Sequence, residues 1–152
     1  MKKYYLAYGS NLNKMQMGRR CRGAKPIGTA TIPDYELLFK GSKTGAYLTI
    51  EKNHGSSVPV AVWEVNEEHE KNLDRYEGFP NFYYKKNMDV ILDGSGETIT
   101  AFVYIMHEER NLELPFKPYV ETCKQGYSDF GFDLQFLKTA IERTFALKRN
   151  QK

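Results

Sequence analysis

The chain has 152 residues, 41% of them hydrophobic and 27% charged, enough to bury a core without disulfide or metal staples, and reads as one domain over 1–152. A net charge of +3 is too small to imply a nucleic-acid partner, and no apolar run approaches a membrane span. The two cysteines, Cys21 and Cys123, form no disulfide framework and match no zinc spacing, so a cytoplasmic, reducing home is expected.

The opening "MKKYYLAYGSN" begins like a signal peptide, but its apolar part is too short and tyrosine-rich, with no small-residue cleavage site. Tyr4–Tyr8 reads instead as a buried first strand. "SNLNKMQMGRRC" follows as a short helix, with Ser10 or Asn11 as N-cap, Leu12, Met15 and Met17 on helical spacing, and Gly18 as its end. "GRRCRGAK" is basic, but no aromatic residue interleaves it, so it reads as a solvated helix end. "KPIGTATIPDYELLFKG" is strand-like and broken at Pro33. Ala46–Lys52 alternates as a strand, "NHGSS" is a turn, and "VPVAVWEV" is the most apolar strand.

"NEEHEKNLDRYEG" is a helix with Asn66 as N-cap, Glu67 and Glu68 at the positive end of its dipole, Leu73 and Tyr76 on its core face, and Gly78 as its stop. "FYYKKNMDVILDGSGETITAFVYIM" is a hairpin turning at Asp93-Gly94-Ser95-Gly96. "HEERNLELPFKP" is a loop and "YVETCKQGYSDFG" a short helix. "DLQFLKTAIERTFALK" is an amphipathic helix capped by Asp133, with Leu134, Leu137, Ile141 and Phe145 as its buried stripe. Strands joined by hairpins, with helices inserted, predict an α+β fold: a mixed sheet curled toward a β-barrel with flanking helices.

Eleven tyrosines against one tryptophan fit a wet cavity lined by amphipathic rings. His54, His69 and His107 match no metal motif, "YGSNL" is not a nucleophile elbow, and "GSKTG" is not a phosphate loop. Two places remain for chemistry. One is "YLAYGSNL": a strand end running into a helix start offers unpaired N–H groups to a carboxylate or oxyanion, and Gly9 permits close approach, although a capped helix needs the same residues. The other is "LDRYEGFPNFYY". Glu77 sits at a helix C-terminus, the unfavourable end of the dipole, amid Phe79, Phe82, Tyr83 and Tyr84. Both the dipole and desolvation raise a carboxyl pKa toward the range useful for general acid–base work.

"YLAYGSNL" near the N-terminus, "GAYLTI" from Gly45, "LDRYEG" in mid-chain and a Tyr-x6-Gly from Tyr119 to Gly126 occur in this order. Together they make the chain, from about Tyr4 to Leu147, resemble the gamma-glutamylcyclotransferase-like family. The resemblance implies a small α+β domain on a mixed β-barrel, no metal or cofactor, and a gamma-glutamyl small-molecule substrate. The reaction would close the glutamyl group onto its own gamma-carbonyl, releasing 5-oxoproline and an amine or amino acid. Glu77 would be the catalytic proton carrier. Tyr5, Leu6, Ala7, Tyr8, Gly9, Ser10, Asn11 and Leu12 would hold the glutamyl group, with Tyr119 and Tyr84 also against substrate. Tyr84 has the family spacing, but sequence alone leaves open whether Tyr83 or Tyr84 faces the cavity. No nucleic-acid or membrane partner is implied, and a homodimer is one allowed assembly. A non-catalytic module that binds an acidic ligand on the same fold is the alternative, although a binding pocket for a carboxylate gains nothing from a second carboxylate at Glu77.

Overall fold

The computed structural model describes residues 2–42 and 44–151. Met1, Lys43 and Lys152, and with them the two ends of the 1–152 assignment, lie outside the described residues. The elements run β1 (Lys3–Ala7), a 3-10 turn (Ser10–Leu12), α1 (Lys14–Arg20), β2 (Lys25–Ser42), β3 (Gly45–Val65), α2 (Glu67–Glu77), β4 (Tyr83–Ile91), β5 (Thr98–Met106), β6 (Asn111–Leu112), α3 (Lys117–Phe130) and α4 (Gln135–Arg149).

The strands form one mixed sheet in the order β4-β5-β1-β3-β2-β6. β1 lies at its centre, antiparallel to β3 and parallel to β5. β2 with β3, and β4 with β5, are long antiparallel hairpins. The sheet curls into a half-barrel: β2 and β4 are four places apart in strand order, yet just beyond β4 the Asp93 N–H donates to the Thr29 carbonyl of β2 at 2.9 Å and the Thr29 hydroxyl donates to the Asp93 carboxylate at 2.7 Å. This is the α+β, curled mixed sheet with flanking helices that the sequence implies, and among the described residues it carries four α-helices.

Several elements differ from the sequence expectation. β2 does not break at Pro33: Pro33 opposes Ser57 and Tyr35 opposes Lys52, so the strand continues past one irregularity with Asp34 at φ 59°. The partner strand absorbs the mismatch. Residues 53–56 bulge out opposite Asp34, making "NHGSS" an insertion within β3 rather than a turn between two strands. The first helix starts later than expected. Its cap is Asn13, whose side chain accepts from the Gln16 N–H at 3.0 Å, and Gly18 lies inside the helix. On α4, Leu134 and Phe145 are exposed, and Leu137, Ala140 and Thr144 form the buried stripe. The Asp133 carboxylate still accepts from the Gln135 N–H at 2.9 Å.

α2 forms as its sequence dictates. Asn66 and His69 make a reciprocal capping box, and Gly78 takes the left-handed conformation at φ 66° that ends the helix. Leu73 is its fully buried residue, whereas Tyr76 is 43% exposed and does not join the core. α3 packs against the turn after β1, and Gly126 makes this approach feasible. A Cβ there would stand 2.5 Å from Leu12 Cβ and 2.7 Å from the Asn13 nitrogen. The Tyr-x6-Gly spacing thus marks where α3 rests on the strand-end loop. No helix among the described residues is long and apolar enough to cross a membrane.

Candidate active site

The chain leaves β1 at Ala7 and turns immediately, so Tyr8–Asn11 lies over the end of the sheet, facing the C-terminal end of α2. Because Asn13 caps α1, the side chains of Ser10 and Asn11 are free for other work. The Ser10 hydroxyl meets the Tyr76 hydroxyl at 2.9 Å, and Asn11 Nδ2 donates to the Tyr5 hydroxyl at 2.8 Å. In the 3-10 turn the Leu12 and Asn13 N–H groups bond back to Gly9 and Ser10. The first N–H groups of such a turn have no carbonyl behind them to bond, and here they belong to Ser10 and Asn11.

A narrow cavity of about 20 Å³ lies under this loop, with Tyr5, Tyr8, Gly9, Ser10, Asn11 and Glu77 in its walls, together with Leu48, Tyr83, Tyr104 and Tyr119. It adjoins a wider mouth of about 280 Å³ walled by Tyr47, Tyr76 and Phe82, and Ser10, Glu77, Tyr83 and Tyr119 line both. Hydroxyl-to-backbone bonds fix the floor. Tyr8 donates to the Tyr104 carbonyl at 2.7 Å and Tyr83 to the Leu48 carbonyl at 2.8 Å, while the Leu48 N–H donates to the Tyr119 hydroxyl at 3.1 Å. Leu48 belongs to the "GAYLTI" stretch, so that segment contributes backbone polarity to the site. Gly9 has a steric role. A Cβ there would meet the Tyr119 hydroxyl at 3.1 Å and Leu48 at 3.5 Å.

Glu77 makes no side-chain hydrogen bond or ion pair among the described residues. Burial in this cavity pushes its carboxyl up to about 8, with the Arg20 guanidinium pulling the other way. Desolvation, one of the two causes that the sequence pointed to, therefore leads. The facing phenols of Tyr5, Tyr8, Tyr83 and Tyr119 are pushed above the ordinary tyrosine range, chiefly by burial, and stay neutral. Glu77 thus places a carboxyl with a raised pKa in a ring of neutral hydroxyls.

The other expected residues fall outside this constellation. Leu6, Ala7 and Leu12 are fully buried in the core and line neither part of the cavity; they support the loop from behind. Tyr84 points the other way, because successive strand residues face opposite sides of a sheet. Its hydroxyl donates to the Glu108 carboxylate and its ring packs on His107. Tyr83 is the one that enters the cavity. Tyr47, Tyr76, Tyr104 and Arg20 were not expected at the site. For Tyr104, a signal was available in the hairpin register, which pairs Tyr83 with Met106 and Lys85 with Tyr104 and so sets Tyr83 and Tyr104 on one face.

Two more open depressions, of about 640 and 650 Å³, lie elsewhere; ion pairs cross both, Arg143 with Glu36 in one and Lys3 and Lys85 with Glu70 in the other. Among the described residues no group of three or more His, Cys, Asp or Glu side chains is placed to hold a metal ion.

Comparison with known proteins agrees with this geometry. A solved gamma-glutamyl cyclotransferase superposes with a TM-score of 0.81 at 26% identity, over 92% of this chain and 86% of its own. An uncharacterized protein from Homo sapiens superposes with a TM-score of 0.79 at 27% identity, over 91% and 86%. A Methanocaldococcus jannaschii protein, named only provisionally as a gamma-glutamylcyclotransferase, is 37% identical over 59 residues, 39% of this chain. That match spans 48% of the relative, about half its length. The family profile described as gamma-glutamyl cyclotransferase, AIG2-like matches residues 5–121. Because that profile runs from the first strand through the Glu77 helix and into the Tyr119 helix, the chain belongs to the gamma-glutamyl cyclotransferase, AIG2-like family.

Proposed function

We propose that this protein is an enzyme that cleaves gamma-glutamyl amides by intramolecular cyclisation. The substrate's alpha-amine attacks its own gamma-carbonyl and forms the ring C–N bond. The bond to the attached nitrogen then breaks, giving 5-oxoproline and a free amine or amino acid. Nucleophile and electrophile share one molecule, so folding the glutamyl chain into attack geometry does much of the work. Orientation of this kind is worth about 7–11 kcal/mol at its best.

The observation that carries this reading is the state of Glu77: a desolvated carboxyl with no hydrogen-bond or ion-pair partner among the described residues, lining the cavity under the strand-end loop. A group held near pH 8 suits both halves of the reaction. As carboxylate it accepts the proton lost by the attacking amine, and as acid it returns that proton to the leaving nitrogen. The N–H groups of Ser10 and Asn11, with the neutral phenol of Tyr119, which accepts from Leu48 and keeps its own O–H, are the donors available to a substrate carboxylate or a developing oxyanion. One such donor is typically worth about 3–4 kcal/mol in the transition state. The glutamyl end belongs at the Ser10–Glu77 side, where the mouth of about 280 Å³ meets the narrow cavity, and the leaving group lies toward Tyr47, Tyr76 and Phe82.

The test is a panel of gamma-glutamyl amides assayed for 5-oxoproline release, run on wild type and Glu77→Gln. Gln keeps the shape but carries no proton, so kcat is expected to fall about 10²–10⁴-fold while substrate still binds. A folded Glu77→Gln protein with wild-type turnover would overturn the mechanism. Binding without turnover by the wild type would instead favour a module that only holds a gamma-glutamyl ligand.

A further inference from the structure

The geometry points to Arg20 as a positioning residue that locks the glutamyl-binding loop and the Glu77-bearing helix into one arrangement. This rests on the reading above and adds to it a residue from "GRRCRGAK", a stretch whose charge alone reads as a solvated helix end. The structure makes it a seam. The Arg20 carbonyl accepts from Asn72 Nδ2 at 3.1 Å, the Cys21 thiol lies 3.6 Å from the His69 carbonyl, and His69 Nε2 meets the Arg22 carbonyl at 2.6 Å. Since His69 Nδ1 accepts from the Asn66 N–H at 3.1 Å, Nε2 carries the proton and donates. The backbone at residues 20–22 is therefore tied to α2 before the Arg20 side chain is considered.

That side chain reaches both halves of the site. Its guanidinium lies 3.4 Å from the centre of the Tyr76 ring, on the residue directly before Glu77. Its Nη1 donates to Asn11 Oδ1, and its Nη2 donates to Gln16 Oε1 at 3.3 Å. Fixing Asn11 Oδ1 fixes the amide plane, which aims Asn11 Nδ2 at the Tyr5 hydroxyl. One planar cation thus sets the loop's side-chain orientation and stacks on the helix end, a combination for which a lysine ammonium lacks the shape. The groups that couple to Glu77 are Arg20 from α1, Tyr5 from β1, Tyr8 from the loop after it, Tyr83 from β4, Tyr104 from β5 and Tyr119 from α3. All of the tyrosines are neutral, which leaves Arg20 as the charge that acts on Glu77.

Arg20→Met and Arg20→Lys separate the two roles. In Arg20→Met the charge and the fork are both gone: the acid limb of the kcat/KM profile is expected to move to higher pH, and KM to rise about tenfold through the loosened loop. Arg20→Lys keeps the charge, so it should return the acid limb toward wild type while KM stays high. A folded Arg20→Met protein with unchanged pH profile and KM would overturn the assignment, as would full rescue of KM by lysine. If Arg20→Met does not fold, a double-mutant cycle of Arg20→Lys with Asn11→Ala decides: non-additive effects on KM are expected, and additive ones would overturn the lock. Carbon-13 NMR titration of the Glu77 carboxyl in wild type, Arg20→Lys and Arg20→Met gives a readout independent of turnover. An upward displacement in Met but not in Lys, in a protein that releases no 5-oxoproline, would refute the proposed reaction and leave the role of Arg20 standing; identical titration in all three would refute that role.

Discussion

The burial of Glu77 costs stability, and the cost has a definite sign with pH. In the unfolded chain its carboxyl titrates near the ordinary 4.5, and in the folded protein near 8 because it is buried. Between these values the folded state holds a proton that the unfolded state has released. Folding is therefore least hindered by Glu77 below about 4.5, and its cost grows through the window up to about 8. The slope there approaches about 1.4 kcal/mol per pH unit. Glu77→Gln removes the titration and fills the same space. Melting temperatures measured for both proteins across pH 5 to 9 should start close together and separate with rising pH, the variant becoming the more stable. Parallel curves would mean that Glu77 is solvated and its pKa ordinary. The residues around it were legible in the sequence to different degrees. "YGSNL" and "YEG" could be found because a turn and a helix stop each demand particular residue types. Arg20 could not, because a basic helix end looks the same whether it faces water or a neighbouring helix.

At the scale of elements, the sequence located strands and helices better than it did their edges and faces. β2 and β3 looked like shorter strands because Pro33 and "NHGSS" are turn formers, yet the hairpin tolerates both by bulging where the bent strands need an irregularity. For α4 the apolar pattern itself misled. Leu134 and Phe145 share a helical spacing with Leu137 and Ile141, but the face that packs on β2 holds the small residues Ala140 and Thr144, which let the helix come close enough for the Thr144 hydroxyl to meet the Phe39 backbone nitrogen at 3.0 Å. Leu137 is 2% exposed and Phe145 is 50% exposed. Leu137→Ala should thus cost about 2–5 kcal/mol, and Phe145→Ala should stay within about 0.5 kcal/mol of wild type. Denaturant unfolding of the two variants checks this; the opposite ranking would restore the stripe read from sequence. Tyr83 and Tyr84 show the same limit in a strand. Alternation says that they face opposite ways, but only the register with β5 says which one faces the cavity.

On the scale of the whole molecule, the site exists only when the fold is closed. Its walls come from β1, the loop after it, β3, the end of α2, β4, β5 and α3, segments spread from Tyr5 to Tyr119. A ligand that fills the cleft touches all of them and binds only the assembled chain, so its binding energy adds to global stability rather than to one loop. Glu77→Gln, which should hold a gamma-glutamyl amide without turning it over, is the protein for measuring this. Its unfolding free energy should rise with ligand as mass action requires, by about 2.7 kcal/mol at a hundred times Kd. Amide exchange should slow together at Gly9–Asn11, Leu48, Tyr83 and Tyr119. Adding Gly9→Val puts branched bulk against Tyr119 and Leu48, where even a Cβ has only 3.1–3.5 Å, and should abolish the ligand-dependent part. If ligand slowed exchange only at the exposed rim around Tyr76 and Phe82, or if Gly9→Val kept the full stabilisation, the glutamyl group would not lie beneath the strand-end loop.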